Sequence, residues 1–251
     1  MMRALQLAMR MLGREWKSGE LGVLLLALTV AVAALTGVGF LVNRITLAVD
    51  RQATEVLAAD LRVESAQPLP PAYAAEAARR GLKTANVVQL ATAIFHGEAS
   101  QLTSLIAVTP GYPLRGAVRI ADRPFGQARV THDIPAPGEA WVDARLIAQL
   151  DVQVGANVQV GAATFRIARI LDYRPDQGSG FVNLAPAVLV NIADLPATQL
   201  IQPGSRASYA GLFAGSADMV AAYREWLTQV KKGGERIEDV DESSRQLNSA
   251  I

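Results

Sequence analysis

The sequence has no cysteine, only two histidines and none of the common nucleotide-binding or zinc-protease motifs. Without cysteine the chain forms neither disulfides nor thiolate sites, while an oxidising compartment stays permitted. No GxxxxGK[ST] segment and no HExxH segment occurs, so this chain carries no phosphate-binding loop and no zinc-protease helix. His96 and His132 lie far apart, and no third group converges with them. We therefore predict that this chain is not an enzyme and binds no cofactor itself.

A strong charge excess is also missing. The formal net charge of the whole chain is +1. Residues 1–20 carry four cations and two acids, a net +2, and residues 21–42 carry no charge, so residues 43–251 sum to −1. Nucleic-acid binding depends on a basic excess on the binding domain. No nucleic-acid partner is expected.

What the sequence does contain is one long hydrophobic run, Leu21–Val42, of 22 residues without a charge. A helix of this length is roughly 33 Å long, and the hydrocarbon core of a bilayer is about 30 Å thick. The run therefore predicts a transmembrane helix over residues 19–42. Because the flank before it is positively charged, we expect the N-terminus in the cytoplasm and the large C-terminal part on the other side of the membrane.

Two other interpretations of this run stay open. One is a helix buried in a soluble protein, although such a helix is normally shorter or shows a polar stripe. The other is a signal peptide cleaved at residues 31–33, where two alanines flank a valine in the small-x-small form of a cleavage site, and this would leave a secreted soluble domain. The apolar sequence continues for nine residues beyond that site, to Val42. Mature termini seldom begin that way, so an uncleaved anchor is preferred.

Helical patterns flank the predicted span on both sides. Residues 1–18 predict an amphipathic elbow helix in the headgroup layer, with basic residues on one side and apolar residues on the other. The predicted membrane-interface residues are Arg3, Arg10, Arg14 and Trp16. Residues 43–60 continue the helical pattern and predict a stalk beyond the bilayer.

Small residues recur every four positions within the predicted span. They are Thr29, Ala33 and Gly37. A ridge of small residues lets a second helix approach closely inside a membrane. These three residues are therefore the predicted helix-packing site.

The remainder of the chain predicts an α+β domain. A βαββ pattern over residues 61–108 and a βαβ pattern over residues 206–242 predict a split α+β subdomain. Residues 109–205 are rich in turns and strand patterns, and they predict a β-rich subdomain inserted between the two halves. Residues 243–251 are interpreted as a return toward a second span.

Two local features stand out in the predicted insertion. The spacing of apolar residues over Val142–Leu150 predicts one short helix. The polar stretch Asp172–Asp176 is interpreted as a plain turn, and a partner-binding loop is the alternative.

Several segments, taken in order, resemble one known family. They are Gly19–Leu28 (GELGVLLLAL), Pro110–Gly116 (PGYPLRG) and Val154–Gly161 (VGANVQVG). Together with the elbow and the stalk they resemble FtsX-like ABC transporter permeases that have a MacB-like periplasmic core domain. Arg14–Phe40 is most similar to the YbbP-like branch. The resemblance implies a bacterial inner-membrane protein whose main domain is periplasmic, with the split part as its porter-like subdomain.

The resemblance also implies partners. Family members pair with a cytoplasmic ATPase subunit that binds the ATP, form a dimer of two permease copies and pass motion through a stalk to the periplasmic domain. They have at least four spans, so we expect this chain to be the N-terminal portion of a longer permease acting on hydrophobic or lipid-linked cargo. The alternative is a membrane-anchored scaffold that binds or activates a periplasmic hydrolase without transport. The lipid membrane is a partner in both hypotheses.

Overall fold

The computed structural model describes residues 20–177 and 185–239. The chain divides into two compact units, Met1–Val49 and Asp50–Ile251. The predicted elbow over residues 1–18, with its interface residues Arg3, Arg10, Arg14 and Trp16, lies outside the described residues. The predicted return segment over residues 243–251 lies outside them as well.

One long helix, α1, runs from Glu20 to Leu57. In the first unit its segment Leu25–Val42 is long and apolar enough to cross a membrane, and none of that segment is buried inside the protein. The hydroxyls of Thr29 and Thr36 donate to the carbonyl oxygens four residues earlier, at 2.7 and 2.6 Å. These side-chain polar groups are thus satisfied within the helix, as a surrounding lipid phase requires.

The same helix continues without a break from the predicted span into the predicted stalk. It ends at Leu57, three residues before the predicted end of the stalk at residue 60. The reason is local, because Ala58 has a φ of 57° and so leaves the right-handed helical conformation. The role of residues 43–57 as a stalk stays a prediction.

The second unit is a mixed α+β domain, as predicted. Its further helices are α2 (Pro71–Arg79), α3 (Ala144–Leu150), α4 (Leu195–Thr198), which follows a 3-10 turn at Ile192–Asp194, and α5 (Ala217–Val230). Its strands are β1 (Leu61–Ser65), β2 (Lys83–His96), β3 (Ala99–Val108), β4 (Val118–Ala121), β5 (Arg129–Thr131), β6 (Glu139–Asp143), β7 (Asn157–Val160), β8 (Ala163–Tyr173), β9 (Ala187–Asn191), β10 (Ala207–Ala214) and β11 (Arg236–Asp239). The predicted βαββ and βαβ patterns at the two ends are confirmed.

The described strands form one mixed sheet. Their order is β11-β1-β10-β2-β3-β9-β6-β8-β4-β5, and β7 pairs with β2 and β8. The neighbours β3 and β9 run parallel, as do β6 and β8. The strand that follows the long helix, β1, pairs antiparallel with β10 on one side and with β11 on the other. The long helix is therefore connected to an internal strand and not to a sheet edge.

The predicted insertion shares its sheet and its core with the segments around it. The parallel pair of β3 and β9 joins the two parts, with Ser104 opposite Ala187. One hydrophobic cluster contains Leu90 and Leu105 from the first segment together with Phe165 from the insertion. The predicted insertion is thus distinguished only by its position in the sequence, because its described residues have no hydrophobic core separate from the surrounding segments. The division into two subdomains stays a prediction.

Two local predictions need correction. The helix predicted over residues 142–150 begins at Ala144, because Val142 belongs to β6 and Asp143 is the N-cap. The Asp143 carboxylate accepts a hydrogen bond from the backbone N–H of Arg145 at 2.8 Å, so the helix starts two residues into the predicted range. The turn predicted at Asp172–Asp176 is shorter than expected, because its first two residues extend β8.

Candidate functional site at the end of the long helix

The long helix ends inside the second unit, in a tight connection to β1. Ala58 and Ala59 are fully buried, and the left-handed backbone of Ala58 costs about 1–2 kcal/mol for a residue with a Cβ. Both alanines belong to a hydrophobic cluster that also contains Tyr112 and Leu212. The end of the helix is therefore embedded in the core of the domain, and core contacts hold its strained backbone.

Asp60 is the centre of the polar part of this connection. Its carboxylate accepts two hydrogen bonds from the guanidinium of Arg115, at 2.8 and 2.6 Å, and one from the backbone N–H of Gly215, at 3.0 Å. The backbone N–H of Arg115 also donates to the carbonyl oxygen of Ala58 at 2.9 Å. Such a two-pronged arginine–carboxylate contact fixes direction as well as distance. We call Ala58, Asp60, Arg115 and Gly215 the joint.

The ion pair of the joint is partly exposed, with side-chain exposures of 19% for Asp60 and 38% for Arg115. The hydrogen bond to Asp60 raises the pKa of Arg115, against an opposing effect of burial. Because water screens a half-exposed pair, its net contribution to stability is on the order of 1 kcal/mol or less. The main effect of this contact is to fix the position and direction of Arg115 relative to Asp60.

The loop Pro110–Gly116, which supplies Arg115, also supplies a second and more deeply buried contact. Tyr112 is fully buried, and its hydroxyl donates to Asp176 Oδ1 at 2.8 Å. The same carboxylate forms ion pairs with Arg174 and, at 3.5 Å, with Arg62. The side chains of Arg174 and Asp176 are only 3% and 2% exposed. We call Tyr112, Arg174, Asp176 and Arg62 the buried cluster.

The buried cluster keeps its charges because they are paired. Burial by itself lowers the pKa of Arg62, but the negative charges of Asp176 and Glu64 outweigh that effect and the pKa is raised. The pKa of Arg174 is raised against the same opposing effect, chiefly by Asp176. Burial raises the pKa of the Tyr112 hydroxyl well above its ordinary value, and the charge on Asp176 raises it further. Removing one partner from such a group leaves an uncompensated buried charge.

The sequence of the loop explains how one short segment reaches both contacts. Gly111 and Gly116 have φ values of +93° and +71°, which residues with a Cβ rarely adopt. Between these two turns Tyr112 enters the core and Arg115 reaches Asp60. The PGYPLRG segment therefore supplies one side chain to the joint and one to the buried cluster.

These contacts connect the helix end, the loop and Gly215, the residue that follows β10. The end of α1, the loop and the end of β10 are therefore joined by direct contacts. In residues 20–177 and 185–239 no group of three or more His, Asp and Glu side chains is arranged to hold a metal ion. The ring atom Nδ1 of His96 lies 2.8 Å from the carbonyl oxygen of Asn157, and His132 is exposed.

The predicted helix-packing residues lie elsewhere, in the first unit. Thr29, Ala33 and Gly37 lie on α1 and are exposed. Apart from its chain neighbours and the backbone of its own helix, no described residue comes within 4 Å of the position that a Cβ would occupy on Gly37. A second helix therefore has room to approach this ridge, and the packing site stays a prediction.

Sequence reasoning missed the joint and the buried cluster. The pattern around Asp176 predicts only a turn, and the PGYPLRG segment points to a family resemblance and not to a contact. One signal was available in β1, where Arg62 stands between the apolar residues Leu61 and Val63. The strand alternation indicates that Arg62 faces away from them, but it does not identify the carboxylate that pairs with it.

A family model and a curated relative both relate this chain to ABC transporter permeases. A family model described as the MacB-like periplasmic core domain matches residues 21–232. An uncharacterized ABC transporter permease, YbbP, from Escherichia coli strain K12 is 32% identical over 238 residues, which is 95% of this chain and 29% of that protein. The chain thus spans less than a third of the length of that curated relative.

Among solved structures, the chain is similar to the extracellular domain of YknZ, described as a noncanonic ABC-type transporter from Gram-positive bacteria. The TM-score is 0.47 and the sequence identity is 11%, over 71% of this chain and 100% of that structure.

Proposed function

Because the chain belongs to the family of the MacB-like periplasmic core domain, we propose that it is part of the membrane subunit of a mechanotransmitting ABC transporter. In this proposal α1 crosses the bacterial inner membrane with its N-terminus in the cytoplasm, and the second unit is periplasmic. Motion generated by ATP hydrolysis on the cytoplasmic side travels along α1 and enters the domain through the joint. The observation that carries the proposal is the embedded helix end at Ala58 and Asp60.

Two features support transmission through this helix. First, α1 is unbroken from the apolar segment to Leu57, and an unbroken helix is stiffer along its axis than a flexible linker. Second, the helix is followed by a bidentate ion pair and buried residues, without a glycine-rich hinge. A hinge at this point would absorb a displacement, whereas the joint passes it to β1 and to Arg115.

The partners follow from the family and remain proposals. In this proposal the ATP is bound by a cytoplasmic ATPase subunit that pairs with the permease, and this chain itself contains no GxxxxGK[ST] segment. A second permease copy packs against Thr29, Ala33 and Gly37 in the membrane. The cargo is hydrophobic or lipid-linked and lies in the cell envelope.

The test interrupts the helix without touching the domain. A Gly-rich insertion after Arg44 in the full-length permease, reconstituted with its ATPase, should abolish the ATP-dependent movement of the domain. The movement is read as energy transfer between fluorophores on cysteines introduced at the exposed position 132 of both copies. A matched insertion in the exposed turn between Gly97 and Glu98 should leave the signal unchanged. An unchanged signal after the Arg44 insertion would rule out transmission through this helix.

A scaffold without transport is the second candidate, and one residue favours it. Phe125 is completely exposed and has a left-handed backbone with a φ of 58°. Residues held in a costly backbone conformation cluster at functional sites, which makes Phe125 a candidate contact residue. Co-purification separates the candidates: a stable complex with a periplasmic hydrolase that is indifferent to ATP would favour the scaffold.

A further inference from the structure

A cleft of about 1260 Å³ opens on the sheet face that carries Arg62. The strand register places Glu64 opposite Arg236 on one side and opposite Ala210 on the other, so these side chains share a face. Ser208 lies opposite Gln89 on the same face. The two walls are the turn over residues 65–68 and the loop over residues 201–206.

Positively charged side chains outnumber negatively charged ones in the lining of the cleft. Four arginines and two carboxylates line it: Arg62, Arg174, Arg206 and Arg236 against Glu64 and Asp176. Both carboxylates are already engaged by the two buried arginines, Arg62 and Arg174. The floor of the cleft is therefore balanced in charge.

The excess positive charge lies at the rim. Arg206 is exposed, and it forms no hydrogen bond or ion pair with any residue in the described part of the chain. Arg236 has a side chain that is 76% exposed, and it forms a long ion pair, at 3.8 Å, with Glu238. A concave site with unbalanced cations above a low-dielectric floor concentrates positive potential.

The hydrogen-bonding capacity of the cleft is also unbalanced toward donors. The Nε of Arg174, a cleft residue, is buried and has no acceptor among the described residues. The exposed hydroxyl of Ser208 has no hydrogen-bond partner in the described part of the chain either. Buried donors without an acceptor are rare in folded proteins. The unsatisfied Nε of Arg174 therefore indicates that an acceptor is missing from this site, whereas the Ser208 hydroxyl is open to solvent.

We propose that this cleft binds an anionic group, and that Arg206 and Arg236 hold it. The chemical class is a phosphate group, because the planar guanidinium fork matches its oxygens. Arg62 and Arg174 stay paired with Glu64 and Asp176 and form the floor. This proposal is independent of the transmission role, because it concerns a face of the sheet and not the joint.

The experiment measures binding to the full chain in nanodiscs of uncharged-headgroup lipid. Two probes are titrated at low ionic strength by calorimetry: inorganic phosphate, and a short-chain phosphatidylglycerol kept below its micelle concentration. Saturable binding of either probe is expected. Binding of phosphate alone identifies a free anion as the source, and binding of the lipid alone identifies a headgroup.

The variant that tests the site is the double substitution Arg206→Gln with Arg236→Gln. Its matched control is Arg123→Gln with Arg129→Gln, since both arginines are exposed and the charge change is identical. The affinity should fall on the order of tenfold or more in the first variant and by less than about twofold in the control. Equal losses in the two variants, or no saturable binding of either probe to the unmodified chain, would overturn the proposal.

Discussion

The substitution Tyr112→Phe tests whether the buried cluster stabilises the domain. It removes one hydroxyl, which lies 2.8 Å from Asp176 Oδ1 inside a fully buried site. Phenylalanine fills the same space, so no cavity opens. The main loss is the hydrogen bond to the charged Asp176, and the weaker contact with the carbonyl oxygen of Pro175 at 3.3 Å goes with it. A hydrogen bond to a charged group contributes about 1.5–3 kcal/mol. Because Asp176 keeps its two arginine partners, the lower end of this range is expected.

The measurement is urea unfolding of the full chain in detergent, followed by tryptophan fluorescence. Trp141 is 5% exposed and lies in the same hydrophobic cluster as Tyr112, so its emission reports the loss of this core. With a denaturant dependence of about 1–3 kcal/mol per molar urea, the unfolding midpoint should fall by roughly 1 M. Tyr209→Phe is the matched control, since its hydroxyl has no partner among the described residues and its midpoint should not move.

The same variant makes a prediction about alkaline pH. The pKa of Tyr112 is raised above its ordinary value of 10.0, so the folded protein holds this proton longer than the unfolded chain. The contribution of Tyr112 to the free energy of unfolding is therefore constant below pH 10, and it decreases as the pH rises above 10. In Tyr112→Phe this decrease should be shallower, although Tyr73, whose pKa is raised to about 12, still contributes. Parallel pH profiles for the two proteins, or no midpoint shift at neutral pH, would refute the role given to this hydroxyl.

Three further substitutions are read by the same unfolding measurement. Phe125→Asn should raise the free energy of unfolding by roughly 1 kcal/mol, because asparagine tolerates the left-handed backbone and no packing is lost; a decrease would show that Phe125 has a structural contact. Gly161→Ala should lower the free energy of unfolding by about 1–3 kcal/mol or more, because the new Cβ would lie 2.2 Å from the carbonyl oxygen of Thr198. Gly155→Ala is the control and should cost less, because its Cβ would meet no atom within 4 Å. Asp60→Asn should cost about 1 kcal/mol in stability; in the full-length transporter it should uncouple ATP hydrolysis from domain movement, and full coupling would argue against the joint.

Much of the local structure was predictable from the sequence. The strand predicted at the start of the domain is β1, and the helical spacing near both ends of the domain correctly predicted α2 and α5. The apolar run correctly predicted a helix that can span a membrane by length and composition. These predictions succeed because helix and strand periods are set by neighbouring residues along the chain.

The joint and the buried cluster depend on contacts that no local pattern records. Asp60 and Arg115 are 55 positions apart, and Tyr112 and Asp176 are 64 positions apart. The sequence around each of these residues does not show which distant side chain it will contact. The pairing depends on strand order and on the path of the chain across the sheet.

By itself the sequence determined the elements, the apolar segment and the absence of cysteine and nucleotide-binding motifs, since each of these is a property of residues close together in the chain. Only the tertiary structure decided that Arg62 is buried with Asp176, that the end of α1 is locked by Arg115, and that Arg206 and Arg236 share one cleft. The physical reason is that pairing of charges depends on distance in space, and the fold of the sheet brings these groups together from segments far apart in sequence.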